Sequence, residues 1–234
     1  MASFDELKER VWKANMELPR RNLVLYTFGN VSGIDREQGV IAIKPSGVPY
    51  EELTPDSMVL VDLDNRVLDG GFNPSSDTKT HTVLYRRFLT IGGIVHTHSP
   101  YATAWAQAQK PIPCLGTTHA DHVPGDIPCT AVMSDEQIER DYEEETGRQI
   151  IERFRELSYR DVEMVLVACH GPFTWGSTPE KAVYNSVVLE ELAKIALTTI
   201  LIDPSVQPLK ESMLMKHYRR KHGKDATYGQ RESL

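Results

Sequence analysis

The stretch Ile91-Gly92-Gly93-Ile94-Val95-His96-Thr97-His98-Ser99-Pro100 ends an apolar run in two histidines one residue apart. Ser99-Pro100 reads as a helix N-cap followed by the first helical position, so the pair sits where a strand gives way to a helix. Side chains alternate across a strand with a period of two; there both imidazoles share one face, whereas on a helix they diverge by about 200°. A second apolar run, Met164-Val165-Leu166-Val167-Ala168-Cys169, ends at His170-Gly171. Neutral imidazole suits Zn²⁺, and catalytic zinc sites commonly take three protein ligands and leave a fourth position for water or substrate. His96, His98 and His170 meet that count; the plainer alternative is that two of them are hydrogen-bonded core histidines. By alternation Cys169 faces away from His170 and reads as a small buried residue.

A second constellation consists of three short polar stretches, Gly29-Asn30, Lys44-Pro45-Ser46-Gly47 and Ser75-Ser76. Backbone N–H groups freed by glycine, serine hydroxyls, a helix N-terminus and a lysine are the usual means of holding a phosphate. Each stretch alone is more often a turn or a cap. Asp77 precedes a helix-like segment at 78–88 and so reads either as a cap or as part of the same site.

The elements that must position these residues follow from periodicity. Ser3 and Glu6 form a capping box for an amphipathic helix running to Pro19. Residues 23–34 and 39–43 read as an antiparallel hairpin across Asp35-Arg36-Glu37-Gln38, and 58–68 as another turning at Asp64-Asn65. Helices are expected from Pro100 to about Gln109, from the Ser134/Gln137 capping box to about Leu157, from Thr178-Pro179 to about Leu201, and from about Pro208 to His222. Consecutive strands joined by short turns are not the alternation of a Rossmann domain, so the sheet should be largely antiparallel.

Composition bounds the rest. The 234 residues are read as one domain, 1–234, with 40% apolar and 25% charged residues and a net charge of −7. An acidic chain disfavours nucleic acid and requires a local site for any anionic substrate. Three cysteines without a C-x-x-C pair indicate free thiols in a reducing compartment. The first residues show no signal pattern, and no apolar run approaches the ~20 residues of a membrane span, so a cytoplasmic protein is expected.

The ordered set His-Thr-His after Gly-Gly-Ile-Val, Lys-Pro-Ser-Gly, Pro-Ser-Ser-Asp, Gly-Thr-Thr-His-Ala-Asp, His-Gly-Pro-Phe-Thr-Trp-Gly and a terminal Tyr-Gly-Gln resembles the class II aldolase and epimerase superfamily, on its 4-epimerase branch. That resemblance implies an α/β fold, an αβα three-layer sandwich around a mostly antiparallel central sheet. It implies a homotetramer of C4 symmetry with sites between subunits, one Zn²⁺ per subunit, and interconversion of L-ribulose 5-phosphate with D-xylulose 5-phosphate. It places zinc on His96, His98 and His170 with Asp77 near or on the metal. Gly29, Asn30, Lys44, Ser46, Gly47, Ser75 and Ser76 would line the substrate and phosphate pocket. Asp121 and Tyr228 would be the acid/base pair from a neighbouring subunit, with Thr117, His217 and Arg220 near them. The run containing His217 and Arg220 is otherwise a solvated basic face, and Tyr228 otherwise a frayed tail.

Inversion at C4 by proton abstraction is hard, because that hydrogen is not next to the ketone; breaking and remaking the C3–C4 bond avoids the difficulty. An aldolase cleaving L-fuculose or L-rhamnulose 1-phosphate is the nearest rival, but such aldolases carry glutamate where this chain has Asp77. An adducin-like scaffold is disfavoured by the three histidines, and a barrel hydrolase by the absent strand and helix alternation.

Overall fold

The computed structural model describes residues 4–223 and 226. Ser3 and Tyr228, with the Tyr-Gly-Gln tail, lie outside the described residues. Among the described residues seven strands form one sheet: β1 (Asn30–Asp35), β2 (Val40–Ile43), β3 (Val59–Asp62), β4 (Val67–Asp69), β5 (Gly93–His96), β6 (Met164–Val167) and β7 (Gly171–Gly176). Their order is β4-β3-β2-β1-β5-β7-β6, and every neighbouring pair is antiparallel. The helices are α1 (Asp5–Arg20), α2 (Thr78–Arg87), α3 (Pro100–Gln107), α4 (Thr117–Ala120), α5 (Asp135–Arg153), α6 (Pro179–Ile202) and α7 (Glu211–His222).

Strand alternation divides the apolar side chains between two layers. Ile41, Ile43, Val59, Val61 and Ile94 join a core with Leu84, Tyr85 and Phe88 around α2 and with Ile150 and Phe154 around α5. Val40, Ala42, Leu60 and Val95 point the other way, onto Val11, Ala14 and Leu18 of α1 and Ala182 and Val183 of α6. Burying a side chain of this size contributes about 1.5–3 kcal/mol, so neither layer is dispensable. The result is the expected αβα sandwich.

Several boundaries differ from the periodicity. Residues 23–29 are not a strand: Tyr26 and Gly29 have φ of 52° and 74°, which breaks the extended backbone despite its β-prone residues. α1 continues through Pro19 to Arg20, one residue beyond the expected end. α5 stops at Arg153, short of Leu157, and α7 starts at Glu211 rather than Pro208. α5 is also broken at Asp141 (φ −166°, ψ 93°), whose carboxylate pairs with Lys79 of α2 at 2.5 Å. Among the described residues no helix is long and apolar enough to cross a membrane.

Candidate active site

Histidines 96 and 98 close β5. His96 is the last strand residue and is 1% exposed; its Nδ1 donates to the Pro172 carbonyl at 3.0 Å, which leaves the Nε2 lone pair for a ligand. Its ring stacks on Phe173 with centroids 4.2 Å apart. His98 lies just beyond the strand, and its Nε2 comes within 3.1 Å of His96 Nε2. His170 is not at a strand end. It occupies the tight turn between β6 and β7, and the pairing of β7 with β5 brings it to the same edge. Cys169 in that turn has φ 63° and is exposed, because the turn abolishes the alternation that would have buried it.

One nitrogen from each histidine lies within 4.8 Å of the others, a group that can hold a metal ion. Burial lowers the pKa of His98, and lowers that of His170 to about 3, with the neighbouring histidines adding to both effects. Neutral rings are what a metal requires. Three converging imidazoles, with His170 Nδ1 buried and without a partner among the described residues, fit a divalent ion of borderline softness with an open position.

Asp77 stands outside that three-residue group. It occupies the N-cap position of α2 yet makes no side-chain cap bond; its Oδ2 instead accepts from Asn30 Nδ2 at 2.7 Å. Burial opposes its ionisation, but the neighbouring imidazoles and the Asn30 bond outweigh this and hold its carboxyl below the usual range. Asn30 pairs with His96 across β1 and β5. Gly29 before it must be glycine: a Cβ there would meet the His96 carbonyl at 2.9 Å.

The three polar stretches meet in one cleft of about 560 Å³, which also takes in the histidines and Asp77. Ser46 N–H donates to Asn73 O and Ser75 N–H to Lys44 O, stitching two of the stretches together. Lys44 lines this cleft but is 1% exposed. Its ammonium donates to the carbonyls of Val48, Thr27 and Pro45 at 2.9, 3.3 and 3.3 Å, and burial lowers its pKa to about 8. Tyr142 and Glu143 also line the cleft, delivered by the break in α5. No glycine or proline marks that break, so the sequence carried no signal for them.

Thr117, Asp121, His217 and Arg220 do not line this cleft. Asp121 follows α4, and α7 closes over it. Arg220 donates through Nε and Nη2 at 3.1 and 2.8 Å, and His217 Nδ1 lies 3.0 Å away. Burial opposes its charge, but the Arg220 and His217 bonds and the Lys221 charge hold the carboxyl below the usual carboxylate range. Thr117 begins α4, one turn before Asp121.

Residues 9–197 match the family described as Class II Aldolase and Adducin N-terminal domain. The chain belongs to that family. Within the class II aldolase family it is 52% identical over 228 residues to the L-ribulose-5-phosphate 4-epimerase UlaF of Salmonella paratyphi C (strain RKS4594), covering 97% of this chain and 100% of the relative. It is 51% identical over the same span to the protein of that name from Salmonella typhi. Among solved structures, an L-fuculose 1-phosphate aldolase matches with a TM-score of 0.78 at 24% identity, over 94% of this chain and 97% of that one. A sugar-phosphate aldolase from Thermotoga maritima matches at 0.64 and 18%, over 85% and 96%. These two share the class II aldolase fold.

Buried histidines outside the metal group have a consequence for stability. Burial lowers the pKa of His81 to about 3 and of His119 to about 4. Below about pH 6.5 the unfolded chain binds protons at these rings and the folded chain does not. Their contribution is therefore fully present above pH 6.5 and is lost as pH falls toward the folded values, by up to about 1.4 kcal/mol per pH unit for each ring. Tm measured across pH 7 to 5 should decline steadily; a flat profile would mean that these rings are not buried as neutral groups.

Proposed function

We propose that this chain interconverts L-ribulose 5-phosphate and D-xylulose 5-phosphate by breaking and remaking the C3–C4 bond, with one zinc ion held by His96, His98 and His170. The observation that carries the reading is the joining of a three-histidine group and three phosphate-type stretches in one cleft of a chain 52% identical to a 4-epimerase. A cleft of about 560 Å³ is of a size that suits a sugar phosphate. A bound zinc ion supplies Lewis-acid stabilisation of negative charge at the ketone end of the substrate.

The chain's own groups do the rest. Ser46, Gly47, Ser75 and Ser76 hold the phosphate, and with it the two-carbon aldehyde fragment after cleavage. The C4 hydroxyl gives its proton to a base as the C3–C4 electron pair passes to the ketone fragment. When the aldehyde turns over before the bond re-forms, its oxygen faces the other side, so two acid/base groups are needed. Asp121 and Tyr228 of a neighbouring subunit take these places, and the protein works as a cytoplasmic tetramer. Asp77, held by Asn30 beside the histidines, restrains the ketone fragment so that it recombines instead of leaving.

Incubation of zinc-loaded protein with L-ribulose 5-phosphate should give D-xylulose 5-phosphate with little free aldehyde. Accumulation of glycolaldehyde phosphate would make the chain an aldolase instead. Lys44 offers a separate check. Its charge lies beneath the Ser46–Gly47 turn, so Lys44→Gln should raise KM for L-ribulose 5-phosphate on the order of tenfold and leave unphosphorylated L-ribulose little changed. Equal effects on both sugars would make Lys44 only a brace for the loop carbonyls it binds.

A further inference from the structure

α2 carries a histidine with no part in the scheme above. His81 is fully buried, one turn after Asp77. Its Nδ1 lies 2.7 Å from Ser32 Oγ, which lies 2.9 Å from the Tyr85 hydroxyl. Its Nε2 is buried and has no hydrogen-bond partner among the described residues. The ring edge packs on Phe173, whose face stacks on His96, so the imidazole is fixed beside the metal group. Asn30 stands two residues before Ser32 on β1, and the side chains of the two share one face of the sheet. Asn30 Nδ2 donates to Ser75 Oγ at 3.1 Å and to Asp77 at 2.7 Å, while its Oδ1 is also buried without a partner among the described residues.

Donor and acceptor rules fix the directions. A carboxylate only accepts, so Asn30 must turn Nδ2 toward Asp77 and Oδ1 away, where only a donor can satisfy it. At the other end the Tyr85 hydroxyl finds no acceptor but Ser32 Oγ among the described residues, so it donates to Ser32 and Ser32 donates to His81 Nδ1. The remaining ring proton then lies on Nε2. One buried donor and one buried acceptor are thus left on side chains that flank the same strand face, where buried polar groups are ordinarily paired.

We propose that His81 is a positioning residue: in its Nε2–H tautomer it joins the Tyr85–Ser32 hydroxyl chain to Asn30 through one buried water, and so holds the Asn30 amide and Asp77 in place beside the metal histidines. The kinetic consequence rests on the epimerase reading; the hydrogen-bond chain does not.

Long-range ¹H–¹⁵N spectra of the zinc-loaded protein labelled with ¹⁵N-histidine read the tautomer directly, with His81 assigned by the loss of its signals in His81→Gln. A protonated Nε2 and a bare Nδ1 are expected. In the same preparations His81→Phe should lower kcat about tenfold with KM and zinc content little changed, and His81→Gln, which restores a donor near the Nε2 position, should recover most of that loss. A proton on Nδ1 in the wild-type protein, or equal kcat in the two variants, overturns the proposal. Should His81→Phe fail to fold, the wild-type tautomer decides. The Nε2–H tautomer in a protein that leaves L-ribulose 5-phosphate unchanged supports the hydrogen-bond chain and overturns the epimerase reading.

Discussion

His98→Asn is expected to lose bound zinc and to lower epimerisation by about 10²–10³-fold or more, the range seen when a single preorganised contact to developing charge is removed. His98 is the informative ligand to replace. It is the most exposed of the three and lies beyond the end of β5, whereas His96 is buried, stacked on Phe173 and bonded to Pro172, so changing His96 would perturb the core as well as the site. Asparagine cannot supply a ring nitrogen facing His96 Nε2, which lies 3.1 Å from the present one. Zinc content by elemental analysis, turnover of L-ribulose 5-phosphate and Tm should be measured together. Loss of metal and turnover with Tm of the metal-free protein unchanged is the expected result. Stoichiometric zinc with full turnover in His98→Asn would remove the metal centre from the mechanism.

The parts of this arrangement legible in sequence are those governed by local period. Two-residue alternation put Ile41 and Ile43 on one layer and Val40 and Ala42 on the other, and the same period put His96 and His98 together. His170 was legible as a partner only through its apolar run; its true place, a turn with Cys169 at φ 63°, depends on how β6 and β7 close their hairpin. What could not be read was set by contacts between distant segments. Asp141 leaves the helical region where it meets Lys79, 62 residues away, and this carries Tyr142 and Glu143 into the cleft. Residues 23–29 are β-prone, yet Tyr26 and Gly29 turn there, and Gly29 approaches the His96 carbonyl more closely than a side chain allows. Lys44 was legible as a cation near a phosphate site. That its ammonium is spent on three loop carbonyls is a property of the packed structure alone.

Asp121→Asn should cost about 10²–10⁴-fold in epimerisation, the usual contribution of a general acid or base, while zinc content stays at wild-type level. Asp121 is ready for such a role: Arg220 and His217 fix its carboxylate, and its side chain is only 14% exposed. Yet it lies outside the cleft of its own chain that holds the histidines. If the site is completed across a subunit boundary, two defects can cancel. Asp121→Asn subunits keep an intact metal group, and His98→Asn subunits keep an intact Asp121. In an equal mixture reassembled at random, about one quarter of the boundaries join the two intact halves, and activity should return to about that fraction of wild type. Dissociation, mixing and reassociation of the two inactive proteins, followed by the D-xylulose 5-phosphate assay, makes the measurement. Recovery well above either parent places Asp121 and the metal on different chains of one site. No recovery, in hybrids shown by mass spectrometry to contain both chains, would place both groups in the same subunit or leave Asp121 only as the anchor of α7.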